Sequence, residues 1–76
     1  MKELIEILEE LNPGVDYETT ENLIDGRYLD SLTILSLVAE IEDAFDVVIP
    51  TVEIIPANFN SAKSIWNLIE KLKEDE

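Results

Sequence analysis

Histidine and cysteine are both absent from the 76 residues, and only five side chains, Lys2, Arg27, Lys63, Lys71 and Lys73, are cationic. Without an imidazole or a thiol the chain cannot assemble a Ser-His-Asp triad, a cysteine nucleophile, a zinc site or a disulfide. Most catalytic machinery is thereby excluded, and an enzyme is not expected. The five cations stand against 18 Asp and Glu residues, for a net charge of −13. A field of that sign repels phosphate backbones and anionic lipid headgroups, so nucleic acid is not an expected partner. No apolar run approaches the roughly 20 residues that span a bilayer, and Met1 to Leu11 is too acidic for a signal peptide. The expectation is a cytoplasmic protein without membrane insertion.

What is present suffices for a fold. With 46% apolar residues the chain is too hydrophobic for the composition that keeps charged segments disordered. Its length suits one domain, residues 1–76, with one core.

Leu4, Ile5, Leu8 and Leu11 recur at helical spacing between glutamates, and Asn12-Pro13-Gly14 ends that segment. From Gly14 to Asp30 the periodicity lapses, and the spacing predicts a long loop anchored by Val15, Tyr17, Leu23 and Ile24. Asp30-Ser31 then opens the most apolar stretch, Leu32 to Phe45, a second helix starting at or just after Ser31. Val47-Val48-Ile49 has no partner strand and reads as a buried connector. A short turn is expected around Val52 to Ile55, before Pro56. Asn60-Ser61 offers a cap for a last helix carrying Ile65, Leu68, Ile69 and Leu72, followed by a charged tail. The expected fold class is all-α: a small antiparallel four-helix bundle, three main helices and one short one, with a long first connection.

Rotating at about 100° per residue, the second helix gathers Ile34, Leu37, Val38, Ile41 and Phe45 on one core-facing side. Thr33, Ser36, Glu40 and Asp43 fall opposite, and Leu32 falls with them, an apolar residue facing water. Ser31 admits two readings. Its hydroxyl caps the helix, as serine commonly does, or it accepts a phosphodiester, since a helix N-terminus accommodates phosphate. Lacking a histidine to activate that hydroxyl, the chain would be an acceptor for another enzyme. From Tyr28 to Ala62 there are six acids and no base, either a solvated face or a docking surface for basic partners. Trp66 reads as core edge. Asp16, Glu18 and Glu21 do not match a calcium loop, and no metal site is expected.

Leu29-Asp30-Ser31-Leu32, an acidic amphipathic helix of about a dozen residues, and Phe45-Asp46-Val47-Val48-Ile49-Pro50 follow one another in an order that resembles the signature of acyl carrier proteins. The resemblance covers nearly the whole chain. It implies that Ser31 is the attachment site for 4′-phosphopantetheine transferred from coenzyme A, with adenosine 3′,5′-bisphosphate released. The arm's thiol would hold an acyl or aminoacyl group as a thioester. It further implies that Asp30 helps organise the transferase's magnesium and that Leu32 is covered by partner enzymes, while Glu40, Glu42 and Asp43 supply the acidic docking face. The implied partners are a phosphopantetheinyl transferase, a loading ligase and downstream acyl-using enzymes, served by a monomer. An unmodified acidic interaction module of the same fold is the alternative. Two departures matter: Thr33 and Ser36 are uncharged where fatty-acid carriers typically have acids. Ile55 to Ser61 also looks more like D-alanyl and peptidyl-type carriers, so an aminoacyl or unusual acyl cargo is preferred.

Overall fold

The computed structural model describes residues 1–74. Asp75 and Glu76, the end of the expected charged tail, lie outside the described residues. Helix α1 runs Lys2–Leu11, α2 Ser31–Phe45, the one-turn α3 Pro56–Phe59 and α4 Ala62–Glu74, with a 3-10 turn at Thr51–Glu53. Among the described residues there is no strand, in keeping with the all-helical expectation. Helix α1 packs on α2 and α4, and α3 packs on α4.

The helical faces follow from the spacing of apolar residues. Leu4 and Leu8 of α1 are fully buried, Ile7 joins them beyond the expected set, and Ile5 and Leu11 are half-buried. Leu37, Ile41 and Phe45 of α2 meet Ile65, Leu68 and Ile69 of α4 in the same core, with Ile34 and Val38 half-buried at its margin. Trp66 sets its ring edge-on to Phe45 at 5.6 Å between centroids, the core-edge position its spacing suggests. The α2 helix ends at Asp46, whose φ of 54° places it in the left-handed conformation typical of helix termini.

The structure corrects one reading of the chain after α2 and adds to another. Val47 and Ile49 are buried, but Val48 between them is 76% exposed. Extended backbone turns alternate side chains to opposite sides, so a three-residue connector cannot bury all three against one core. The turn expected before Pro56 is present as the 3-10 turn at Thr51–Glu53, and a one-turn helix that the sequence reading lacked follows at Pro56. Proline occupies its first position, where a missing N–H costs nothing, and the segment ahead of it is the 3-10 turn.

The long loop is fastened at several points. Tyr17, Leu23 and Leu29 are buried, and Val15 and Ile24 pack half-buried against the core. Tyr17 donates its hydroxyl proton to the Asn12 carbonyl, and Asn12 donates its amide to the Tyr28 carbonyl. Burial, and then the charge of Glu9, raise the Tyr17 pKa, so the hydroxyl keeps its proton for that bond. Asn60, ahead of α4, accepts the Leu23 N–H on its backbone oxygen at 2.8 Å. Its side-chain Oδ1 accepts from Ile24 N and Asp25 N at 3.0 and 3.1 Å. Gly26 is required by close approach: a Cβ there would lie 2.8 Å from the Asn22 carbonyl oxygen.

Candidate functional site

Ser31 is exposed at the first residue of α2. The cap is not Ser31, as its sequence position allows, but Asp30, whose Oδ1 accepts the Thr33 N–H at 2.8 Å from an extended backbone. An aspartate one residue earlier reaches the third amide of the helix, where N-cap side chains act, while Ser31 already has helical backbone. The consequence is chemical. Among the described residues Ser31 Oγ makes no hydrogen bond, so the hydroxyl stands free at the helix end.

Hydrogen bonding from Thr33 holds the Asp30 carboxyl below its ordinary value of 3.8. A carboxylate whose folded pKa is depressed stabilises above the unfolded value and loses that contribution as pH falls through the folded one. Asp30→Ala is therefore expected to lower stability at neutral pH. That difference should shrink once the pH is taken below 3.8, and Asp30→Asn should retain most of the cap at either pH. Urea midpoints of the three proteins at pH 7 and at about pH 3 check this. An Asp30→Ala deficit that persists undiminished in acid would mean the aspartate acts by something other than its charged cap.

Around Ser31 the side chains divide by exposure. Leu32 is 76% exposed, as its rotation implies, and Leu35 one turn on is 62% exposed. Leu35 escaped the sequence reading, although its spacing of three from Leu32 places the two on neighbouring strips of the helix. Glu40 and Asp43 are exposed. Glu42 is different: it is half-buried, and its Oε2 accepts the Ile49 N–H at 2.8 Å. That carboxylate ties the connector to α2 and is partly withdrawn from the acidic face.

Cations also enter the region from α4, which the linear sequence conceals. Lys71 Nζ lies 3.4 Å from Glu53 Oε2, and Lys73 Nζ lies 5.5 Å from the centre of the Phe45 ring. Lys73 therefore sets a positive charge beside the C-terminal end of α2, the end that carries Asp43, and Glu40 and Asp43 are the exposed acids of the helix. Among the described residues no group of His, Cys, Asp or Glu is arranged to hold a metal ion, and no helix is long and apolar enough to cross a membrane.

One apolar cleft adjoins this helix end. Ile24, Ile34, Ile54, Ile55, Pro56 and Phe59 line a space of about 70 Å³, and Ile34, its wall on α2, stands one turn beyond Ser31. The wider polar groove of about 310 Å³, bordered by Glu53, Asn58, Ser64 and Lys71, includes no residue of α2.

No family model matches the chain. Individual proteins do. A D-alanyl carrier protein of Streptococcus sanguinis is 35% identical over 72 residues, covering 93% of this chain and 91% of the relative. D-alanyl carrier proteins of Streptococcus gordonii and Streptococcus thermophilus are each 33% identical over the same spans. Carrier proteins are not enzymes themselves. With the free serine at the head of an acidic helix and this similarity along nearly its whole length, the chain belongs to the acyl carrier protein family.

Proposed function

We propose that residues 1–76 form one acyl-carrier-type domain on which Ser31 bears a 4′-phosphopantetheine arm. The observation that carries this reading is the Ser31 hydroxyl, exposed and released from capping by Asp30. The residues present fit the group: an uncommitted hydroxyl at a helix N-terminus suits a linked phosphate through the positive end of the helix dipole. Attachment joins Ser31 Oγ to the phosphorus of coenzyme A that bears the pantetheine, while adenosine 3′,5′-bisphosphate leaves. The hydroxyl proton passes to a base of the transferase, because this chain has no histidine. The arm, when bound, supplies the thiol that forms the thioester, a chemistry the cysteine-free chain cannot provide.

Leu32, Asp30, Glu40 and Asp43 form the surface that the transferase, a loading ligase and later acyl-using enzymes cover, with Glu42 contributing from its half-buried position. A D-alanyl or similarly small aminoacyl cargo fits best. The printed names of the relatives point to D-alanine, and the apolar cleft of about 70 Å³ is well below the roughly 300 Å³ at which small-molecule pockets begin. A cytoplasmic setting suits a carrier loaded from coenzyme A.

Incubation with a broad-specificity phosphopantetheinyl transferase, coenzyme A and magnesium tests the assignment. Intact mass should rise by one arm in the wild type and not in Ser31→Ala. No gain with several such transferases, or an equal gain in the variant, would leave the unmodified interaction module as the better reading.

A further inference from the structure

Arg27 is a cation with no role in the fold. It is exposed, and among the described residues it makes no ion pair and no side-chain hydrogen bond. It is also the sole base between Lys2 and Lys63, a span otherwise charged only by acids. Its φ of 62° is left-handed, a conformation that a long side chain adopts at a cost and that glycine or asparagine would adopt more readily. The backbone nevertheless fixes it there. Arg27 N donates to the Ile24 carbonyl at 3.0 Å, and Leu29 N donates to Leu23 O at 3.0 Å. Buried Leu23 and Leu29 flank the segment, and Asn60 clamps Ile24 and Asp25. An unpaired arginine with left-handed backbone, tied by these hydrogen bonds, thus stands four residues before Ser31. Four residues span at most about 14 Å even when extended, and the turns between them shorten that path.

We propose that Arg27 is the positioning residue for the arm, its guanidinium pairing with the phosphodiester on Ser31. This rests on the reading of Ser31 as the attachment residue. A phosphodiester linked there enters a region whose neighbours in sequence, Asp25 and Asp30, are both anionic. Arginine is suited to the task because its planar fork donates to two phosphate oxygens at once. Beyond the helix dipole, no other cationic side chain between Lys2 and Lys63 can offset that charge. The pairing anchors the base of the arm to the loop and leaves the thiol end free to travel.

The test uses the full chain before and after modification. In nitrogen-labelled protein the Arg27 Nε–H resonance should move when the arm is added, and should not move in Ser31→Ala carried through the same treatment. Arg27→Gln should still gain the mass of one arm but shift the phosphorus resonance of the phosphodiester, and Arg27→Lys should restore part of that shift. The difference should shrink as salt is raised. Arg27→Gly should melt no lower than the wild type, since it relieves the left-handed strain; a large loss would make Arg27 structural and overturn the proposal. If the mass does not rise, the attachment reading itself fails. If it rises and neither the Arg27 nor the phosphorus resonance responds, the attachment stands and the pairing is wrong. A slower transferase reaction in Arg27→Gln with an unchanged phosphorus resonance would assign the arginine to the transferase contact and likewise overturn the pairing.

Discussion

Ile41→Ala should lower the free energy of unfolding by about 2 to 5 kcal/mol, whereas Leu32→Ala should change it by no more than about 0.5 kcal/mol. Both are apolar residues of one helix, and burial separates them: Ile41 is fully buried in the core, while Leu32 is 76% exposed. Removing methyl groups from a packed site forfeits their transfer free energy and leaves a cavity. At an exposed site water already surrounds the side chain. For a chain of this length, whose total stability is on the order of 4 to 11 kcal/mol, the Ile41 loss is a large fraction of the whole. Val38→Ala should fall between the two, because Val38 is half-buried. On the proposed function the functional ranking should run the other way: Leu32→Ala should slow modification of Ser31 by the transferase, since an exposed leucine beside the Ser31 hydroxyl is the natural apolar anchor for a docked enzyme. Urea midpoints and transferase rates on the same preparations check both. If Leu32→Ala unfolds as readily as Ile41→Ala, the leucine belongs to the core. If it is both stable and modified at the normal rate, it is not a partner contact.

That separation was legible because α2 is long and regular, so a rotation of about 100° per residue settles which side chains face inward. The same regularity made the faces of α1 and α4 readable. What the sequence left open lies where a single residue or a distant contact decides. Asp30 and Ser31 are both good caps, and only backbone dihedrals show that Asp30 takes the capping position and leaves Ser31 free. Glu42 looks like any other acid of α2 until Ile49 folds back to donate to it. Lys71 and Lys73 belong to α4 in the chain but lie against Glu53 and Phe45 in space, a pairing across 18 and 28 residues that no local pattern signals. Arg27 carried no mark beyond its charge, because neither spacing nor composition reveals a left-handed backbone at a residue other than glycine.

The second large effect concerns Asn60, which the sequence suggests as half of a helix cap. Ser61 alone takes that role, its Oγ accepting the Ser64 N–H at 3.0 Å. The Asn60 side chain instead reaches 36 residues back to accept from Ile24 N at 3.0 Å and from Asp25 N at 3.1 Å, and its amide faces Asp25 Oδ2 at 3.3 Å. Asn60→Ala removes all three side-chain bonds and leaves the part-buried Ile24 N–H without a partner, so the cost should be about 1 to 3 kcal/mol. Asn60→Asp keeps an acceptor for the two amides but sets a second carboxylate against Asp25. Its deficit should therefore shrink as salt screens the two charges. Because the Asn60 side chain holds Ile24 and Asp25 while other contacts hold the rest of the loop, the loss should be concentrated there. Amides of Leu23 to Asp25 should exchange faster in Asn60→Ala, while those in the centre of α2 keep their ranking as the slowest of the chain. Addition of the arm should persist, since Ser31 and its Asp30 cap are built on α2 itself. Exchange at Leu23 to Asp25 that is unchanged relative to α2 would show that Leu23 and Leu29, through burial alone, are enough to fasten the loop.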